Sequence, residues 1–208
     1  MTIKEALEKK DLPYWIPDCK RENLPYFLSE MGFKKGVEVG VSWGHNIVDY
    51  GKAGLEVYGV DPWEDTPDEK FRRIISIDGK YGKSREGVYK LAKERTEKYP
   101  NIHLIKGTSE EVARTFDKRS LDFVYIDANH EFGHIAMDLY LWTKRVKKGG
   151  IVAGHDYFST QGNRGLRQVK YVVDAFVAAH DINNFWVLGK PDDKDHDREL
   201  SFFFVKHW

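Results

Sequence analysis

The sequence predicts an α/β fold, a doubly wound, seven-stranded, mostly parallel sheet that ends in an antiparallel hairpin. Three observations carry that prediction. Apolar runs of strand length alternate five times with longer segments of helical periodicity, the pattern of parallel strands joined by crossover helices. The last two apolar runs have no helix between them and are expected to pair antiparallel. Each expected strand exits into polar or glycine-containing sequence, the place where open α/β sheets bind ligands.

In chain order, residues 23–31 put Leu24, Phe27, Leu28 and Met31 on one helical face, and a first strand follows over 36–41. A helix from Trp43 or His45 to Ala53 leads to a second strand over 55–60, which ends on Asp61. Residues 62–87 break the alternation: Pro62, Pro67, Gly79, Gly82 and Gly87 sit among many charges. This stretch is expected to be a lid insertion with one short helix near 70–75. Its basic residues, Lys70, Arg72, Arg73, Lys80, Lys83 and Arg85, face either an acidic acceptor or only solvent.

Alternation resumes with a helix over 88–99, a strand over 102–106, a helix over 109–116 and a strand over 121–126. Ile135, Leu139, Trp142 and Val146 stripe a helix over 133–146, which Gly149 and Gly150 close before a strand over 151–154. Leu166, Val169, Val173 and Phe176 stripe the next helix, and strands over 185–188 and 200–205 flank a charged turn. In that turn the tract from Asp192 to Asp197 reads as a solvated loop. The chain, 1–208, reads as one domain, with residues 1–35 a helical extension ahead of the sheet.

Composition narrows the partners. Lys plus Arg number 33 and Asp plus Glu number 33, so no net field draws in nucleic acid or an anionic membrane. Cys19 is the single cysteine, which rules out an intrachain disulfide and a multi-cysteine zinc site. No apolar run has the length of a signal peptide core or a membrane span, so the cytoplasm is the expected location. The oligomeric state, homo-oligomers included, is left open.

The loop after the first strand is informative by what it lacks. A pyrophosphate-binding turn has the pattern G-x-G-x-x-G, whereas here the spacing is E-x-G-x-x-x-G, from Glu38 through Gly40 to Gly44. A carboxylate beside a tight turn suits a ligand bearing an amino group better than one bearing phosphates. Asp61 follows about twenty residues later, where a carboxylate accepts hydrogen bonds from a ribose diol. That feature fits NAD enzymes and methyltransferases alike, and Asp61 also reads as a turn residue before Pro62. Gly40 reads equally well as a tight strand-to-helix turn.

The runs Val37-Glu38-Val39-Gly40-Val41 and Gly59-Val60-Asp61, the stretch from Leu121 to His130, and that from Lys147 to Tyr157 resemble class I S-adenosylmethionine-dependent methyltransferases. Within them the chain is similar to the methyltransferase domain 24 family, which includes macrolide sugar O-methyltransferases. The resemblance covers about residues 24–180 and implies a Rossmann-like fold. It implies that Glu38, Gly40 and Asn46 lie along the methionine part of S-adenosylmethionine, that Asp61 takes the ribose hydroxyls, and that Ser109 lies beside the adenine. Asp127 joins that cofactor set. Asp127 and Asp156 match positions that hold a divalent cation, Mg²⁺ or Mn²⁺, with His155 a further ligand. His130 stands where sugar O-methyltransferases place a general base. The implied acceptor is a hydroxylated small molecule, a sugar or polyol ahead of a catechol.

Bland readings stand beside these. Asp127 reads as a helix cap, Asp156 as a turn cap and His130 as a loop residue, while Trp43, Trp63 and Tyr157 either line an acceptor pocket or simply pack. Two other functions compete, an NAD(P)-dependent oxidoreductase and a cofactor-binding module without catalysis.

Overall fold

In the computed structural model, which describes residues 3–6, 13–64, 84–157, 168–190 and 200–208, the apolar runs form one sheet. Its strands are β1 (Tyr14–Ile16), β2 (Lys35–Val39), β3 (Glu56–Asp61), β4 (Ile102–Lys106), β5 (Leu121–Ile126), β6 (Val146–Gly154), β7 (Phe185–Leu188) and β8 (Ser201–Val205). They lie in the order β1-β7-β8-β6-β5-β2-β3-β4, with β8 antiparallel to both neighbours and every other pair parallel.

The helices are α1 (Ile3–Ala6), α2 (Leu24–Glu30), α3 (Ile47–Lys52), α4 (Arg85–Thr96), α5 (Ser109–Thr115), α6 (Phe132–Thr143) and α7 (Val169–Ala179), with a 3-10 turn at Arg21–Asn23. After β2 the chain builds outward through β3 and β4, then returns to the other side of β2 to lay down β5 and β6. Right-handed crossovers run in opposite directions must place their helices on opposite faces. Accordingly α1 to α4 cover one core with Leu28, Ile47, Tyr50, Val88 and Phe123, and α5 to α7 cover the other with Val39, Val124, Leu139, Trp142 and Val173.

The sheet has eight strands rather than the expected seven. The additional strand, β1, lies inside the N-terminal segment expected to be helical. Three residues are too few to show an alternation pattern. What makes Tyr14–Ile16 a strand is the parallel edge offered by β7, where Trp15 pairs with Val187 and Ile16 is wholly buried. The glycine pair 149–150 also differs from expectation. It does not end α6, which stops at Thr143; it sits inside β6, at an irregularity where Leu121 pairs with Val146 but Phe123 pairs with Ile151.

Most of the expected 62–87 lid, including the helix near 70–75, lies outside the described residues, as does Leu166. Among the described residues no helix is long and apolar enough to cross a membrane.

Candidate active site at the switch point of the sheet

The order in which strands are added to the sheet reverses between β2 and β5, which are parallel, so the crevice beyond their carboxyl ends is where an open sheet of this kind takes a ligand. The two strands exit in contact. The Asp127 amide donates to the Val39 carbonyl at 2.8 Å, and the Gly40 amide to the Val60 carbonyl at 2.8 Å. Gly40 has φ +89°, and a Cβ there would lie 2.0 Å from the Asp127 carbonyl oxygen. Only glycine permits that approach. Three non-glycine residues at strand exits are also left-handed, Ser42 at +48°, Trp63 at +42° and Asp156 at +59°. Such conformations persist only where the surroundings enforce them, and they gather at functional sites.

Glu38 projects from β2 into this region and is almost wholly buried. Asn46 Nδ2 donates to its Oε1 at 2.8 Å, while Oε2 is buried with no hydrogen-bond partner. Burial drives the carboxyl up to about 8, against the Asn46 bond, which favours the ionised form; the charge of Asp127 adds to the rise. A buried carboxylate oxygen without a donor is costly unless a ligand supplies one, and an ammonium group supplies both donor and charge.

Asp61 organises the next exit. Its Oδ2 accepts the Ser42 amide at 2.9 Å and its Oδ1 the Trp63 amide at 2.8 Å, while Trp63 Nε1 donates to the Ser42 carbonyl at 2.9 Å. Burial raises its pKa and the two amide bonds oppose the rise. Each carboxylate oxygen accepts more than one hydrogen bond, so capacity for a diol is left. Trp63 itself is a buried packing residue, its ring 4.7 Å from that of Tyr89.

Ser109 is placed differently from its neighbours in the expected cofactor set. Its hydroxyl donates to Asp138 Oδ1 and accepts from Trp142 Nε1 at 2.8 Å, which turns it toward α6. Asp138 is buried, and burial raises its carboxyl to about 6 despite the Ser109 bond.

Asp127, His130 and Asp156 each present an oxygen or nitrogen atom, all within 4.8 Å of one another. His130 Nε2 lies 2.9 Å from Asp156 Oδ2 and 3.5 Å from Asp127 Oδ1. Burial pulls the imidazole pKa down, but bonds to the two carboxylates outweigh it and lift the value to about 10. His155 is outside that group: its Nδ1 is 3.8 Å from Asp127 Oδ2, and its Nε2 is buried with no hydrogen-bond partner. Asp127 does not cap α6, whose N-cap is Glu131.

Two further residues hold these loops: Gln168, which no sequence signal marks, and Tyr157, expected either to line an acceptor pocket or to pack. Gln168 donates its amide to the His130 carbonyl at 3.0 Å and accepts the Phe132 amide on Oε1 at 2.7 Å. Tyr157, buried beside Asp156, donates its hydroxyl to Asp174 Oδ1 at 2.5 Å.

A family model described as a methyltransferase domain matches residues 30–157. No curated protein sequence matches the chain. Solved structures share its fold. An O-methyltransferase from Bacillus cereus, in complex with SAH, aligns with TM-score 0.63 at 14% identity over 98% of this chain and 86% of that one. The O-methyltransferase TomG from Streptomyces achromogenes, in complex with SAM, aligns with TM-score 0.63 at 13% identity over 89% and 79%. Spermidine synthase from Thermotoga maritima aligns with TM-score 0.58 at 15% identity over 88% and 56%.

Proposed function

Because the chain belongs to the methyltransferase domain family and is a class I S-adenosylmethionine-dependent methyltransferase, we propose that it methylates a hydroxyl oxygen of a small molecule, with a divalent cation held by Asp127 and Asp156. The observation that carries this reading is the convergence of those two carboxylates and His130, with the Asp127 backbone packed against Gly40. Sugars and polyols lead as acceptors, with catechols behind. The balanced charge of the chain favours a small acceptor over a nucleic acid. A nicotinamide dinucleotide is not favoured, because the buried Glu38 carboxyl stands where its pyrophosphate would approach.

S-adenosylmethionine supplies a methyl group on an electron-poor sulfonium, open to in-line displacement. Glu38 Oε2 would hold its ammonium and Asp61 its ribose hydroxyls, and the absence of a side chain at Gly40 leaves the backbone there open to close approach. A divalent cation such as Mg²⁺ or Mn²⁺ supplies positive charge that lowers the pKa of an acceptor hydroxyl. Asp127 and Asp156 fit it as hard oxygen donors, and His155, with Nδ1 3.8 Å from Asp127 Oδ2, would be a further nitrogen donor beside them.

His130 holds its proton at Nε2 between the two carboxylates. His130 would act as a base only in its neutral form, which it would reach if the charge of the two carboxylates were offset by a cation they held; its Nε2 would then accept the proton of the acceptor hydroxyl.

A panel of sugars, polyols and catechols, assayed with and without a chelator, tests the reading. Turnover is expected to vanish on chelation and return with Mg²⁺ or Mn²⁺, with S-adenosylhomocysteine affinity largely kept. Asp156→Asn is expected to weaken Mn²⁺ binding first and rate as a consequence. Full turnover in chelator overturns the cation's role and leaves the fold and family untouched.

A further inference from the structure

His130 and Asp156 hang from different strands. One follows β5 and the other β6, yet Nε2 of the first lies 2.9 Å from Oδ2 of the second. Two loops keep such a distance only when partners outside them hold each backbone in place.

The Asp156 loop is pinned on both sides. The His155 amide donates to the Ile126 carbonyl at 3.0 Å and the Tyr157 amide to the Leu200 carbonyl at 2.9 Å. Between them Asp156 takes φ +59°, a conformation that persists only where the surroundings enforce it. The Tyr157 side chain adds a third tie, to α7. Its hydroxyl donates to Asp174 Oδ1 at 2.5 Å, and Lys170 Nζ donates to that hydroxyl at 3.2 Å and to Asp174 Oδ2 at 2.5 Å.

The His130 loop is tied to the same helix. Gln168, the N-cap residue of α7, donates its amide to the His130 carbonyl at 3.0 Å and accepts the Phe132 amide on Oε1 at 2.7 Å. These two bonds bracket residues 130–132. The helix is seated in turn by Val169, Val172 and Val173, buried in the core that also holds Val124 of β5 and Val152 of β6.

We propose that the first two turns of α7 set the separation of His130 and Asp156, with Gln168 and Tyr157 as positioning residues, one for each loop. Neither belongs to the group formed by Asp127, His130 and Asp156, and each acts through the backbone beside it. Gln168, Lys170 and Asp174 lie beyond the matched family region of residues 30–157. For a cation, the consequence rests on the reading of Asp127 and Asp156 above; for the His130–Asp156 pair it does not. The bland alternative is that Tyr157 only packs, with Phe185 and Phe202 against its ring at 5.3 and 6.0 Å between centroids. Tyr157→Phe keeps that packing and would then be silent at the site.

Two measurements on the full chain separate these: the ring N–H proton signal of His130 in the free protein by NMR, and Mn²⁺ affinity by calorimetry. The amide spectrum checks that each variant is folded. Wild-type protein is expected to show the ring signal, slowed in its exchange with water by the carboxylate that holds it. Tyr157→Phe is expected to lose the signal and to bind Mn²⁺ about ten- to hundredfold more weakly, the usual worth of a partner that orients a cation's donor. Gln168→Ala is expected to lose the signal and keep Mn²⁺ affinity close to the wild-type value, because Gln168 ties only the His130 loop. Gln168→Glu retains an acceptor oxygen for the Phe132 amide and should retain the signal. A signal that survives in either Tyr157→Phe or Gln168→Ala overturns the proposal, as does its absence from wild-type protein or from Gln168→Glu. If wild-type protein binds no Mn²⁺ while the signal follows this pattern, the cation reading falls and the role of α7 stands.

Discussion

If Glu38 binds the cofactor's ammonium as proposed, its burial makes the pH dependence of that affinity calculable. Its carboxyl, pushed up to about 8 by burial, is mostly protonated in the free protein at neutral pH. Binding an ammonium requires the carboxylate, so the ligand must draw off a proton. At pH 7 a group with that pKa is about 0.9 protonated, so about 0.9 of a proton leaves Glu38 per ligand bound. The cost of ionising it is about 1.4 kcal/mol at pH 7, one pH unit below its pKa, or a tenfold loss of affinity.

S-adenosylhomocysteine affinity is therefore expected to rise about tenfold from pH 6 to 7 and about fivefold from pH 7 to 8, then level off. The sign for stability is opposite. The folded carboxyl binds its proton more tightly than the unfolded one, so its stabilising contribution to the free protein is full below the unfolded pKa and is lost as pH rises through 8. Calorimetry in buffers of different ionisation enthalpy reads the proton directly. Glu38→Gln keeps the Asn46 contact and should bind more weakly, with no pH dependence over that range and no heat traceable to Glu38 ionisation. Wild-type affinity flat from pH 6 to 8, with buffer-independent heats, would refute the reasoning.

Two substitutions probe the remaining loops. Asp61→Ala should weaken S-adenosylhomocysteine by roughly 1–3 kcal/mol, since it removes charge-assisted bonds to a diol and frees the Ser42 and Trp63 amides that Asp61 now holds; an unchanged dissociation constant in a titration would separate Asp61 from the ribose. His130→Ala should lower kcat by about 10²–10⁴-fold, with a much smaller effect on cofactor affinity, as expected for a positioned base; steady-state rates on the acceptor found in the panel decide it, and a near-normal kcat would reduce His130 to a partner of the two carboxylates.

Some of the site was legible because chain position alone determines it. A residue that directly follows a buried parallel strand emerges at the carboxyl edge of the sheet, so Glu38, Gly40, Asp61, Asp127 and Asp156 could be brought to one edge by counting strands. Ser109 shows where counting stops. It stands at an exit, yet its hydroxyl turns to Asp138 and Trp142, two residues of α6 that only helix packing brings to it. Gln168 carried no signal either, since a lone polar side chain has no periodicity and its partner Phe132 is 36 residues away.

The sequence by itself determined the alternation of strands and helices, the antiparallel ending and the set of polar strand exits, because period and chain order are local properties. Tertiary structure decided three things. It made Tyr14–Ile16 a strand, because an unpaired edge of β7 lay within reach. It turned Gly149 and Gly150 into an irregularity within β6 rather than a helix stop. It also left His155 outside the group formed by Asp127, His130 and Asp156, its Nδ1 3.8 Å from Asp127 Oδ2. Which atoms meet across a crevice depends on register and rotamer, and those are set by packing between segments far apart in the chain.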